Sequence, residues 1–249
     1  KEPLRESIAG INHMGWLLEL EDADGNDLYP EIRERAIAIL ESGKTDHHDL
    51  VRYEYIRRLG YYCTESSEHN AEYNNFFIKA KYPELIERYN IPLDEYPRRC
   101  INQIENWKKD REKYMHDDVT HTRTTEYASY IMEAIVTDIP YKIGGNVINN
   151  GLIPNMPAEA CVEVACLVNK NGIQPCAQKP LPLQLAAMNS AMIGVQLLTI
   201  EAAVTQKKET IYQAAMLDPH TSSELSIDEI IRLCDDLIEA HGSYLPKYH

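Results

Sequence analysis

Two β-branched runs divided by an Asn-Gly pair constrain this chain more than any other feature. Asn146-Val147-Ile148-Asn149-Asn150-Gly151 leads into Val162-Glu163-Val164-Ala165-Cys166-Leu167-Val168, then Asn171-Gly172, then Ile173-Gln174-Pro175-Cys176. Asn-Gly between extended runs is the strongest short hairpin signal, because both residues tolerate the left-handed backbone that a two-residue turn demands. Residues 144 to 177 therefore read as a small antiparallel sheet. The sequence on either side follows a helical period instead. Pro30 opens a helix with Ile32, Ala36, Ile39 and Leu40 on one side and Ser42-Gly43 as its stop, and a second runs from about His48 to Leu59 with Gly60 at its end. Helical patterns return from Pro97 to Tyr114, Thr124 to Asp138 and Leu181 to Val204, the first two divided by a polar loop, His116 to His121. Ser226-Ile227-Asp228-Glu229 spells a capping box for a last helix ending at Gly242. Gly10 to Glu21 reads as one strand-like run that reverses at Asp22-Ala23-Asp24-Gly25-Asn26. The fold class is α+β, mostly helical with a small antiparallel sheet.

Charge narrows the partners. With 39 acidic and 25 basic residues the formal charge is −14, which disfavours nucleic acid and anionic membrane, since a phosphate surface needs a concentrated basic face. No uninterrupted apolar run approaches the roughly 20 residues of a membrane crossing, and Lys1-Glu2-Pro3-Leu4-Arg5-Glu6 has no signal-peptide core. The six cysteines lack Cys-x-x-Cys spacing and read as reduced thiols of a cytoplasmic protein. On one strand, Cys161 and Cys166 point to opposite faces and would not share an ion.

The chemistry concentrates in two segments: Gly10-Ile11-Asn12-His13-Met14-Gly15-Trp16 and, some fifty residues later, Gly60-Tyr61-Tyr62-Cys63-Thr64-Glu65-Ser66-Ser67-Glu68-His69-Asn70-Ala71-Glu72-Tyr73. Alone, His13 ahead of Met14, Trp16, Leu17 and Leu18 reads as a buried, hydrogen-bonded histidine. The run Thr64 to Tyr73 reads as a loop just past a helix end, a usual place for catalytic groups. Glu65 and Glu72 read as solvated or hydrogen-bonded loop acids. Gly144-Gly145 lacks the spacing of a phosphate cradle, and His47-His48 and the His116/His121 pair read as surface residues.

Together the two segments resemble the glycoside hydrolases of family four, and within them the melibiase-type α-galactosidases. The resemblance continues through Cys161-Val162-Glu163-Val164 and Gly172-Ile173-Gln174-Pro175 to Ala214-Ala215-Met216-Leu217-Asp218-Pro219. It implies that residues 1–249 form a C-terminal, metal- and substrate-binding domain like that of the lactate and malate dehydrogenases, with an upstream nucleotide-binding domain absent from this chain. It further implies hydrolysis of an α-galactoside with NAD and Mn²⁺: a hydride leaves C3 of the sugar, the acidified C2 proton is removed, the aglycone is eliminated, water adds and the hydride returns. That route differs from the paired-carboxylate scheme of most glycosidases. In it His13 corresponds to a ligand of the Mn²⁺, whose partner cysteine lies upstream, so this chain by itself is expected to bind the ion poorly and to be inactive.

The base, in the family a tyrosine or aspartate, falls within Thr64 to Tyr73, where Glu68, His69 and Tyr73 are the candidates. Tyr73 would need activation by the metal, because a free phenol has a pKa of about 10. Asn12 and the amides Asn146 and Asn150 are candidate sugar contacts, since a carboxamide both donates and accepts. Asn146, Asn149 and Asn150 read equally as turn chemistry beside Gly145 and Gly151. No Lys or Arg occurs in Thr64 to Tyr73, which favours a neutral sugar over a phosphorylated or uronic one, although related members act on α-glucosides, 6-phosphoglucosides and galacturonides. A homo-oligomer is expected. A non-catalytic oligomerisation module is the rival reading, resting on the Ala- and Met-rich stretch from Leu181 to Val204.

Overall fold

A computed structural model describes residues 5–117 and 122–249. The chain opens with a tight hairpin, β1 (Arg5–Ile11) and β2 (Met14–Glu21), so the expected single run is split by a two-residue turn at Asn12-His13. Periodicity misses that break because Ile11 and Met14, which flank it, are both fully buried and apolar. After β2 the Asp22 carboxylate accepts from the Asp24 and Asn26 N–H groups and builds the expected reversal. Helix α1 (Tyr29–Glu41) starts with Pro30 in its first turn, where a missing N–H costs nothing. Helix α2 (Leu50–Leu59) ends at Gly60, which takes a left-handed φ of 89°.

The next segment departs most from expectation. Instead of one loop, residues 62 to 73 contain a short strand, β3 (Tyr62–Cys63), and a helix, α3 (Ser67–Glu72), capped by the Ser66 hydroxyl accepting from the His69 N–H. Helices α4 (Glu84–Arg88), α5 (Glu95–His116) and α6 (Ala128–Thr137) follow, and residues 118–121 of the expected polar loop lie outside the described part. Strands β4 (Tyr141–Ile148), β5 (Cys161–Asn169) and β6 (Gly172–Pro175) are antiparallel. Strand β5 reverses into β6 at Lys170-Asn171, with Gly172 left-handed at φ 90° as the first paired residue of β6, so the Asn-Gly signal marks the hairpin but sits one residue past its two-residue turn. Helices α7 (Leu183–Thr205), α8 (Lys208–Leu217), α9 (Pro219–Glu224) and α10 (Ile227–His241) complete the chain, α10 starting on the complete Ser226/Glu229 capping box.

The two hairpins join into one six-stranded sheet, in the order β3-β2-β1-β5-β4 with β6 paired to β5. The sheet is therefore larger than residues 144 to 177 indicated, because Ala9 and Gly10 of β1 pair with Val164 and Glu163 of β5. Along β5, Val162, Val164, Cys166 and Val168 are buried whereas Cys161 and Leu167 are exposed, the alternation of a sheet with one covered face. Helix α7 supplies part of the cover: its Leu185, Ala186, Asn189, Met192 and Ile193 are buried. By length and composition α7 is long and apolar enough to cross a membrane, although polar residues interrupt it; in the fold its first half is a core helix.

Asn149 closes the loop between β4 and β5. Its fully buried carboxamide donates to the carbonyls of Ile153, Met156 and Pro157 and accepts from the Ile153 N–H, so the turn reading applies to it. Asn149→Ala leaves these groups unpaired away from water and is expected to cost about 3 kcal/mol. Urea unfolding should show this as a lower midpoint at unchanged slope.

Candidate metal and sugar site

His13 occupies the turn of the first hairpin with φ 62°, a left-handed conformation that only a minority of non-glycine residues adopt. It is held there by the ladder beneath it: Ile11 pairs with Met14, and both are buried. Strand β3 then brings the second segment alongside. Trp16 pairs with Cys63, and the Thr64 N–H donates to the Gly15 carbonyl at 2.9 Å, which sets Glu65 against the turn. His13 Nδ1 and Glu65 Oε2 are 2.6 Å apart, and the other oxygen, Glu65 Oε1, accepts from the Ser66 N–H at 2.7 Å. Helix α3 presents His69, whose ring centroid is 4.6 Å from that of His13, and ends at Tyr73, whose ring meets His13 edge-on at 5.7 Å.

The result is a set of two imidazoles and one carboxylate, His13, Glu65 and His69, whose ligand atoms lie within 4.8 Å of one another. All three are half-buried. Nitrogen and oxygen donors of this kind suit Mn²⁺ and related divalent ions, so the residues present fit such an ion. His69 Nδ1 is held by Glu72 at 3.0 Å, the outer-partner arrangement that fixes a ligating ring, whereas the carboxylate on His13 Nδ1, Glu65, is itself a member of the donor set. Burial pushes the Glu65 carboxyl up, but the Ser66 N–H and the His13 imidazole together outweigh it and hold Glu65 below its ordinary range.

One acid under the cluster was not singled out in the sequence. Glu163 stands on β5 opposite Gly10 of β1 and Asn146 of β4. Its carboxylate fills the space above Gly15, where a Cβ would come within 3.2 Å of Oε1 and within 2.9 Å of the Thr64 hydroxyl. Burial, and then the charge of Glu65, push the Glu163 carboxyl above its ordinary value, with His13 acting in the opposite sense. A cavity of about 110 Å³ lined by Ser7, Lys142, Gly144, Glu163 and Gln178 adjoins it. The available signal was an acid inside Val-Glu-Val, a charged residue on an otherwise apolar strand.

The remaining candidates separate. Asn12 is exposed in the turn beside His13, and Asn146 is exposed next to Glu163 across the β4–β5 ladder. Asn150 stands in the turn after β4 with φ 41°, its N–H on the Ala158 carbonyl, and no contact among the described residues joins it to the His13 cluster. Glu68 lies on α3 with its side chain only 11% exposed, and Arg99 of α5 donates to it at 2.9 Å. That cation reaches the site helix from elsewhere in the chain, which a scan of Thr64 to Tyr73 alone did not register. Cys161 and Cys166 fall on opposite faces of β5, as their spacing required.

Residues 8–221 match the family 4 glycosyl hydrolase C-terminal domain. The chain belongs to that family. As a family four domain it is similar to an α-galactosidase of Bacillus subtilis, at 58% identity over 98% of this chain and 56% of that protein. Its fold is that of the Bacillus subtilis protein lplD, with a TM-score of 0.82 at 21% identity over 94% of this chain and 55% of that one. It is also that of a 6-phospho-α-glucosidase from gut microorganisms solved with NAD and Mn²⁺, with a TM-score of 0.73 at 18% identity over 98% of this chain and 57% of that one. The chain thus spans about half the length of the relatives it matches.

The raised Glu163 gives this family four domain a pH signature. A carboxyl whose folded value lies above its unfolded value stabilises the fold below the unfolded value, and that contribution is lost as pH rises through the folded one. Glu163→Gln is therefore expected to be more stable than the wild type at pH 7 in the absence of metal. Denaturant midpoints taken at falling pH should show the advantage shrink through the carboxylate range.

Proposed function

We propose that this chain is the metal- and sugar-handling half of an α-galactosidase that works with NAD and Mn²⁺. The observation that carries the reading is the convergence of His13, Glu65 and His69 with the Tyr73 phenol beside them. The 58% identity to an α-galactosidase supports the choice of sugar. His13, Glu65 and His69 would hold the ion. When bound, NAD supplies a reversible hydride acceptor for C3 of the sugar, and Mn²⁺ a Lewis acid for the neighbouring sugar oxygens.

The chain's own work is then to orient the ring and move one proton. Tyr73 is the base of this reading, taking the C2 proton on its phenolic oxygen. Burial, then the charges of Glu72 and Glu65, push its phenol up in the metal-free protein, and a cation held beside His13 acts in the opposite direction. His69 is better suited to the ion than to the proton, because Glu72 holds its Nδ1. Glu68 is less suited as a base because Arg99 occupies its carboxylate. Asn12, next to His13 in the turn, and Asn146 and Glu163, paired across the β4–β5 ladder, would bind sugar hydroxyls, each able to accept a hydrogen bond and the amides also to donate.

A second role, in subunit assembly, is favoured by α5. None of its residues is buried, and Ile101, Ile104, Trp107, Tyr114 and Met115 are all exposed.

The test is hydrolysis of p-nitrophenyl α-galactoside by this chain, alone and joined to an NAD-binding portion such as the relatives' greater length would carry. Activity should require NAD and Mn²⁺ in the joined protein, and Tyr73→Phe should lower kcat by about 10²–10⁴ with KM little changed. Hydrolysis that persists without NAD, or a Tyr73→Phe variant as fast as wild type, would sink the reading.

A further inference from the structure

The donor set comes from two places in the chain, and one buried side chain touches the supports of both. Asn70, on the inner face of α3, is fully buried. Its Nδ2 donates to the Glu65 carbonyl at 3.2 Å and to the Ser66 carbonyl at 2.9 Å, so it braces the backbone that carries Glu65 and starts the helix bearing His69. The same carboxamide lies against the sulfur of Cys63, which is also fully buried. Cys63 Sγ donates to the His13 carbonyl at 3.8 Å. A continuous path of polar contacts therefore runs from the His13 turn through Cys63 and Asn70 to Glu65.

The amide is retained there against a cost. Asn70 Oδ1 is buried without a hydrogen-bond partner, a defect that folded proteins rarely keep without compensation. The backbone carbonyl of Asn70 is in turn clamped by the Tyr55 hydroxyl at 3.1 Å and by Asn74 Nδ2 at 3.0 Å, so the carboxamide has a fixed base. What the side chain adds is its pair of donors, aimed at the segment that faces the His13 turn.

We propose that Asn70 is a positioning residue for a divalent ion: with Cys63 it holds the His13 turn and the Glu65–His69 segment at the separation that lets their side chains converge. This rests on the metal reading made above. Neither Asn70 nor Cys63 touches the ion; both act through the backbone of residues that would.

The experiment compares Asn70→Leu with Asn74→Leu in the full 249-residue chain. Both variants remove a buried amide that donates to a carbonyl of the same region, but Asn74 meets the Asn70 carbonyl and the Tyr55 hydroxyl, with no bond to Glu65, Ser66 or His13 among the described residues. The first readout needs no metal: the low-field proton resonance of the His13–Glu65 hydrogen bond. It should be lost or broadened in Asn70→Leu and kept in Asn74→Leu. The second is the dissociation constant for Mn²⁺ followed by its electron paramagnetic resonance, expected to rise about 10–100-fold in Asn70→Leu and less than twofold in Asn74→Leu. A folded Asn70→Leu that keeps both the resonance and the wild-type Mn²⁺ affinity would overturn the proposal, as would equal losses in the two variants. Where the wild-type chain by itself holds Mn²⁺ too weakly to measure, as its lack of the upstream partner ligand leads one to expect, the resonance alone decides whether Asn70 sets the geometry.

Discussion

The hydrogen bond between the Trp16 indole and the Asn189 carboxamide, 2.8 Å long and fully buried, is the constraint on which the rest of the structure hangs. Asn189 sits on α7, and its Nδ2 donates back to the Met14 carbonyl at 3.2 Å. One side chain thus fastens the longest helix to the strand that follows the His13 turn. Both partners must be polar at their tips and surrounded by apolar atoms, a combination that fixes orientation because either group left unpaired would be costly. Gly10 records how close this approach is, since a Cβ there would collide with the Met14 carbonyl and come within 3.0 Å of Asn189 Nδ2.

From that anchor the site follows by register. Trp16 pairs with Cys63 on the open edge of β2, so the strand that fixes the helix on one side recruits the second motif on the other. Trp16 also packs near Tyr55 of α2, with ring centroids 5.8 Å apart, and Tyr55 reaches on to the Asn70 carbonyl. The core and the donor set are parts of one contact network, which explains how half-buried polar groups stay ordered near the rim of a sheet.

What was legible in the sequence was local. Gly60, Pro30 and the Ser226/Glu229 box each act through backbone geometry within a few residues, and each stands where its chemistry required, whereas Asn171-Gly172 located the hairpin one residue past its turn. The first hairpin turn was illegible because Asn12-His13 carries no glycine and its flanks are as apolar as the strands. Helix α3 was hidden by its length: six residues give too little period, and Ser66 as its cap was the one available signal. In the candidate site, His13 and the segment containing His69 and Tyr73 were singled out through the family resemblance. Glu65 was read as a solvated or hydrogen-bonded loop acid, and only the β2–β3 pairing, a long-range fact, shows what it bonds to. Glu163 and Arg99 were missed for the same reason, since each comes to the site across the fold and not along the chain.

The His13–Glu65 contact spans 52 residues of sequence. Anything that strengthens it closes a loop containing α1 and α2, and loop closure acts mainly by restricting the unfolded chain. A ligand that bridged the two segments would work as a removable staple: its binding energy would add to the stability of everything between them, and its withdrawal would take that stability away without touching the hydrophobic core. Occupancy of such a site and integrity of the domain would in that sense be a single equilibrium, read from two ends.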